Sequence, residues 1–294
     1  MGEARRRQRS QQQLLLEYPW CIYCGEKATT VDHCPPRVFF VERKWPETYD
    51  FPACESCNKE ARLDEQAIAV LVRVKLTEDD KEPGWSDFAK LIDGVKNNQP
   101  ALVAEWLSLS RNQQRRSLRE MFDEAGDQAR REGWGAIHLG PLSHAAIERF
   151  MVKLGKALYY RHIGELLDGF VYYHYINPLS KKTNPELMDT ILRLAPEVAL
   201  PQRGNKPLAE QFFYRFNHSP EHGIIHSVVR FNSQFVFYVA ALSRDIHQNL
   251  TKFRMERGEP LLTQGVVDAS LKHRPPERST LSCPGVGSRS RIPK

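Results

Sequence analysis

The sequence predicts an α+β protein: a small cysteine-bearing module at the N-terminus, followed by a mainly helical domain that ends in a small C-terminal antiparallel sheet. Three observations lead to this fold class. Two Cys-x-x-Cys pairs lie within the first 57 residues. Apolar residues recur at helical spacing through the middle of the chain. Aromatic and β-branched residues dominate 212–216 and 224–241, which is typical of strands.

The composition is that of a globular protein. Of the 294 residues, 41% are hydrophobic and 27% are charged, and the mean hydropathy is −0.53. These values exclude collagen-like and wholly disordered chains. The longest apolar stretches fall well short of the roughly 20 residues that a membrane helix needs. The N-terminus also lacks the apolar run of about 7–15 residues that a secretory signal carries. We therefore expect a cytoplasmic protein with no membrane partner.

The positive charge of the chain is concentrated at its two ends. The formal net charge is +6, yet residues 1–13 contribute +3 and residues 268–294 contribute +4, so the body between them carries −1. Basic ends attract nucleic acid without sequence preference, because they release the counterions bound to its phosphates. The same ends can instead act only to keep a chain soluble. The charge alone leaves both interpretations open.

Four of the six cysteines indicate the chemistry of the N-terminal module. Cys21 and Cys24 form one Cys-x-x-Cys pair, and Cys54 and Cys57 form the other. Disulfide frameworks are rare in cytoplasmic proteins, whereas two such pairs supply four thiolates for a tetrahedral Zn²⁺ ion. A site closed by four cysteines is structural. We expect its zinc to stabilise a segment that is too small to hold a stable core of its own.

The segment between the two pairs is longer than a simple zinc ribbon requires. It has 29 residues between Cys24 and Cys54, against about 15–20 in a ribbon. The insertion contains Thr29-Thr30-Val31-Asp32-His33-Cys34-Pro35-Pro36-Arg37, and Asn58 directly follows the last cysteine. With this order of motifs, residues 18–66 resemble the HNH nucleases of the ββα-metal superfamily, in which zinc knuckles flank a β-hairpin and a helix.

The resemblance implies a metal-dependent endonuclease that hydrolyses the phosphodiester bonds of nucleic acid, with DNA favoured over RNA. It assigns His33 as the general base, since histidine titrates near neutral pH and can take a proton from water. It assigns Asp32 and Asn58 to a catalytic divalent cation, and their hard oxygen atoms favour Mg²⁺ or Mn²⁺ over zinc. Because neighbouring residues on a strand point to opposite sides, Asp32 can face the cation while His33 faces the scissile phosphate.

One position departs from the family pattern. The family has an asparagine about five residues before the third cysteine, where it supports the loop that carries the histidine. This chain has Tyr49 at that position and Asp50 next to it. The departure leaves an alternative open, namely a non-catalytic zinc module that binds nucleic acid or serves assembly without cutting.

Beyond the module, apolar spacing predicts helices within 64–76, 88–95, 102–107, 111–132 and 142–167. The strands of the last third follow them. We therefore expect a chain of four parts: a basic flexible arm over 1–13, the HNH-like zinc module over 14–76, a mainly helical domain ending in a small sheet over 77–267, and a basic disordered tail over 268–294.

Overall fold

A computed structural model describes residues 3–41, 44–74, 84–122, 125–131, 135–176, 185–232, 235–257, 265–273 and 275. Within these ranges the chain combines α-helices with antiparallel strands, which confirms the predicted α+β class. None of the described helices is long and apolar enough to cross a membrane.

The N-terminal part of the chain consists of a helix, a β-hairpin and a second helix. Helix α1 spans Glu3–Glu17, strand β1 spans Thr30–His33 and strand β2 spans Asp50–Ala53. The two strands pair antiparallel, with His33 opposite Asp50. Helix α2, Glu55–Arg73, starts directly after Cys54 and buries the apolar residues of its second half, which explains the helical spacing seen there.

Five helices follow among the described residues, and the last of them, α7, lies at the centre of the molecule. They are α3 (Trp85–Asn98), α4 (Pro100–Trp106), α5 (Arg111–Phe122), α6 (Gly126–Arg131) and α7 (Pro141–Ile163). Helix α7 has proline in its first turn and ends at Gly164, which adopts a left-handed conformation. Most of its surface is buried, because it packs against α2 on one side and against the large sheet on the other.

The C-terminal half is built on an antiparallel sheet with six strands among the described residues. Their spatial order is β10-β3-β9-β8-β7-β4. A separate two-stranded hairpin is formed by β5 and β6. The elements in chain order are β3 (Gly169–Ile176), α8 (Pro185–Leu194), β4 (Glu197–Ala199), β5 (Gln202–Arg203), β6 (Lys206–Pro207), β7 (Phe212–Ser219), β8 (Ile224–Phe231), β9 (Phe235–Ser243), α9 (Arg244–Glu256) and β10 (Val266–Asp268).

The N-terminal part and the sheet share one hydrophobic core. Three phenylalanines join them: the ring of Phe39 lies 5.1 Å from that of Phe150 on α7 and 5.4 Å from that of Phe231 on β8. Tyr49 packs against Phe212 of β7 in the same cluster. The predicted boundary near residue 76 lies outside the described residues, and the core on its two sides is continuous.

The structure differs from the sequence prediction at both basic ends. Residues 1–13 were expected to form a flexible arm, but α1 is helical from Glu3, in a stretch of good helix formers without glycine or proline. The tail was expected to be disordered from residue 268, but Asp268 belongs to β10, which pairs with β3. Ala269 and His273 also donate backbone hydrogen bonds, to Gly169 and Cys24. Residues 276–294 lie outside the described ranges.

The C-terminal segment near His273 packs against the turn at Cys24, so a side chain at Gly25 would collide with it. Gly25 has φ +84°, and a Cβ atom there would lie 1.7 Å from the carbonyl oxygen of His273. Gly204 is a matched position, since it has φ +58° and a Cβ atom added there would meet nothing within 4 Å beyond its chain neighbours.

We predict that Gly25→Ala lowers the melting temperature at least twice as much as Gly204→Ala. Both variants pay about 1–2 kcal/mol for a left-handed alanine, but only Gly25→Ala must also displace the backbone near His273. Thermal unfolding followed by circular dichroism measures the difference. Equal melting temperatures for the two variants would show that the segment near His273 does not pack on the cysteine turn.

Candidate functional site

The four cysteines that the sequence assigns to zinc converge in the structure. Their sulfur atoms all lie within 4.8 Å of one another, and Sγ of Cys24 is 3.6 Å from Sγ of Cys54. All four, including Cys21 and Cys57, are free thiols. A Zn–S distance of about 2.3 Å places the sulfurs of a tetrahedral site about 3.8 Å apart. The cluster can therefore hold one zinc ion, with every coordination position filled by protein.

Local structure brings each pair of cysteines into place. Cys54 precedes α2, and its sulfur accepts a hydrogen bond from the backbone N–H of Cys57 at 3.4 Å. In the other pair, the N–H of Gly25 donates to the carbonyl of Cys21 at 3.0 Å and closes a tight turn. Hydrogen bonding from Cys57 lowers the pKa of Cys21, while the same contact raises the pKa of Cys57 and burial raises the pKa of Cys24. The cluster thus favours one thiolate, and zinc binding would release the protons of the other cysteines.

Asp32 is buried, and both of its polar contacts involve the same carboxylate oxygen. The hydroxyl of Tyr23 donates to Oδ2 at 2.6 Å, and the ammonium of Lys153 on α7 lies 2.8 Å from Oδ2. Throughout the part of the chain that the structure describes, Oδ1 of Asp32 receives no hydrogen bond. This second oxygen is the one left to bind a cation.

Lys153 joins Asp32 to a second carboxylate. Its ammonium also contacts Glu65 on α2. Burial acts to lower the pKa of Lys153, but the charges of Asp32 and Glu65 raise it above its usual value. Burial raises the pKa of Glu65 to about 7. When both carboxylates are ionised, the three side chains carry a net charge of −1, which still attracts a cation.

Asn58 lies in the first turn of α2, where its side chain reaches across to β1. Its Nδ2 group donates to Oγ1 of Thr30 at 3.3 Å. This contact orients the amide so that its oxygen is the atom without a partner among the described residues. Asn58 and Asp32 thus each offer one hard oxygen, the type of ligand that Mg²⁺ and Mn²⁺ prefer.

His33 lies between an acidic and a basic side chain. Its Nδ1 contacts the carboxylate of Asp50, the residue opposite it on β2, and its Nε2 contacts the guanidinium of Arg37. A guanidinium can only donate, so its contact with Nε2 favours the tautomer that carries the ring proton on Nδ1, on the side of Asp50.

The structure explains the departure at Tyr49. The side chain of Tyr49 is buried, and its hydroxyl donates to that of Tyr214 at 3.1 Å. Its backbone carbonyl accepts the N–H of Cys34 at 3.2 Å, next to His33. The Tyr49 backbone and the Asp50 carboxylate thus hold the loop beside His33, while the Tyr49 side chain packs in the hydrophobic core.

The three predicted site residues line one cavity. Its volume is about 970 Å³, and its wall carries Asp32, His33 and Asn58 together with Arg37 and Glu65. Residues from α1, β1, the turn after β1, α2 and α3 complete it: Gln11, Val31, Pro36, Val38, Arg62, Leu63, Gln66, Leu91 and Asn98.

Sequence reasoning missed the partners of Asp32 and His33. Lys153 is 7% exposed and lies among the apolar residues of α7 that predicted a core helix. A lysine in the middle of such a stretch was the available signal, because a buried ammonium requires an anionic partner. Its position identifies neither Asp32 nor Glu65, which lie far away in the sequence.

Comparison with known proteins adds no assignment. No protein-family model matches the chain, and neither the curated proteins nor the solved structures contain a significant match. The functional interpretation therefore depends on the geometry of the site.

We predict that the purified protein contains one zinc ion per chain and that Cys54→Ser loses both the zinc and cooperative folding. Zinc binding and folding are coupled in closed thiolate sites. Cys34→Ala is the matched control, because Cys34 is equally buried but lies outside the four-sulfur cluster. Elemental analysis and thermal unfolding provide the readouts. A folded Cys54→Ser protein with full zinc content would contradict the assignment.

Proposed function

We propose that the protein is a metal-dependent endonuclease that hydrolyses phosphodiester bonds in nucleic acid, with DNA favoured over RNA, through an HNH-type site. The observation that carries this proposal is the meeting of His33, Asp32 and Asn58 on the wall of one cavity, beside a four-cysteine cluster suited to zinc. The zinc would be structural, because the four sulfurs leave no position for substrate.

The proposed reaction uses His33 as the general base. Its Nε2 takes a proton from a water molecule, which attacks the phosphorus atom, and the bond to the leaving oxygen breaks. Asp50 holds the Nδ1 side of the ring and stabilises the positive charge that the imidazole gains. Asp32 and Asn58 would hold Mg²⁺ or Mn²⁺, which when bound supplies charge neutralisation at the phosphate and the leaving oxygen.

A second function is favoured by the contact of Lys153 with Asp32. An ammonium that neutralises one of the proposed cation ligands is the arrangement expected in a module that retains its fold but binds nucleic acid without cutting it. Oδ1 of Asp32, which receives no hydrogen bond from the described residues, supports the catalytic proposal instead. Cleavage assays distinguish the two directly.

We predict that His33→Ala lowers the cleavage rate by about 10²–10⁴-fold, the usual contribution of a general base. Purified protein is incubated with plasmid DNA, single-stranded DNA and RNA, with and without Mg²⁺ or Mn²⁺. Zinc content, melting temperature and nucleic-acid binding of the variant should match those of the unaltered protein. Equal rates for the variant and the unaltered protein would exclude His33 as the base, and no cleavage of any substrate would favour the binding module.

We predict that Asp32→Asn and Asn58→Ala each raise the Mg²⁺ concentration needed for half-maximal cleavage by at least tenfold, because each removes a hard ligand. Asp93→Ala is a matched control, since this carboxylate on α3 is 70% exposed and pairs with Lys96. Rates measured across a Mg²⁺ titration test the assignment. An unchanged titration for Asp32→Asn would mean that the cation lies elsewhere.

A further inference from the structure

Three arginines from three separate elements surround the loop that leads from His33 towards β2. Arg37 follows β1, Arg161 lies on α7 and Arg203 lies on β5. The Cζ atoms of Arg37 and Arg203 are 4.2 and 4.0 Å from the ring centroid of Trp45, and Cζ of Arg161 is 4.0 Å from that of Tyr49. Three guanidiniums are thus held against two aromatic rings of one loop.

Contacts with the loop backbone hold two of these arginines, Arg161 and Arg203, in place. Arg161 donates to the carbonyl of Thr48 at 2.6 Å. Arg203 is positioned by the β5–β6 hairpin, whose Gln202 carbonyl accepts the N–H of Glu47 at 2.9 Å. The N–H of Gly204 in turn donates to Oε1 of Glu47 at 3.0 Å. The C-terminal half of the chain therefore brings two of the three arginines to the N-terminal loop.

The charge of this cluster is not balanced by the carboxylates that the structure describes. Arg37, Arg161 and Arg203 have no acidic partner within the described ranges. Two acidic residues described beside the arginines are engaged elsewhere, Glu47 of the loop with the hairpin backbone and Asp50 of β2 with His33. Fixing the loop against the rest of the chain accounts for the backbone hydrogen bonds, but it does not require three cations without acidic partners around one loop.

We infer that Arg37, Arg161 and Arg203 form a binding surface for the backbone phosphates of the nucleic acid whose cleavage is proposed above. This inference rests on that proposed function for the identity of the ligand. A guanidinium has five N–H donors in a planar fork that suits phosphate, and Arg203 uses one of them, in a 3.5 Å contact with the carbonyl of Trp45. The aromatic rings hold each guanidinium in a fixed orientation at little cost in side-chain entropy.

The surface is continuous with the cavity, because Arg37 belongs to both. Arg37 lines the cavity beside His33 and its guanidinium contacts Nε2. A phosphate bound at this point provides Arg37 with an anionic partner. When the Arg37 guanidinium moves from His33 to the phosphate, the Nε2 lone pair of His33 becomes available to water. Substrate binding therefore makes the general base accessible.

The test measures binding separately from cleavage. Arg203→Ala is made in the His33→Ala background. Fluorescence anisotropy then measures the affinity of this double variant for a labelled 20-base-pair DNA duplex and for the corresponding single strand. The measurement is repeated over a range of salt concentrations without added divalent cation. One lost phosphate contact lowers the slope of log K against log salt by about 0.9 for a duplex, which corresponds to about eightfold weaker binding at 0.1 M salt. Arg203→Lys should retain most of the slope, because lysine keeps the charge.

Arg116→Ala in the same background is the control, since this arginine on α5 is 82% exposed and pairs with Glu120. Its slope should not change. Unchanged zinc content and melting temperature show that Arg203→Ala remains folded. An unchanged slope for Arg203→Ala, or a loss confined to Arg116→Ala, overturns this inference while leaving the proposed cleavage intact. Arginine-dependent binding without any cleavage by the unaltered protein contradicts the proposed nuclease activity alone.

Discussion

The convergence of four cysteine sulfurs is the constraint on which the rest of the site depends. Cys21 and Cys24 lie before β1, Cys54 lies between β2 and α2, and Cys57 lies in the first turn of α2. An ion bound to all four fixes the hairpin against the start of the helix. Asp32 is on that hairpin and Asn58 is one residue beyond the last cysteine, so their relative position follows directly from the cluster. Such an ion would add to the apolar burial that already joins the hairpin to α7 and the large sheet.

A buried ionic cluster then connects this small scaffold to the rest of the molecule. Lys153 reaches from α7 to Asp32 and Glu65, and removing Lys153 leaves two largely buried carboxylates without their cation, a change that typically costs about 3–5 kcal/mol. The Phe39, Phe150 and Phe231 contacts supply apolar burial along the same interface. The sheet therefore packs against α7, and α7 in turn contacts the site through Lys153.

The sequence predicts the parts of this arrangement that depend on short-range patterns. The cysteine cluster follows from two local motifs, and the buried half of α2 and most of α7 follow from apolar spacing. Strands β7 to β9 follow from their aromatic and β-branched residues. Strands β4 and β10 were not predictable, because three residues carry no usable periodicity and each forms only by pairing with β7 or β3. The pairing of Lys153 with Asp32 was not predictable either. Apolar spacing identifies the buried face of a helix, but it does not identify the residues of other elements that contact this face.

The proposed arrangement of a zinc site and a separate cation site is tested most directly by anomalous diffraction from crystals of the unaltered protein soaked in Mn²⁺. Our account predicts a zinc signal about 2.3 Å from all four sulfurs. It also predicts a separate manganese signal about 2.2 Å from an oxygen of Asp32 and from the amide oxygen of Asn58. A manganese signal elsewhere, or none at this position while Lys153 stays on Asp32, would contradict a catalytic cation site.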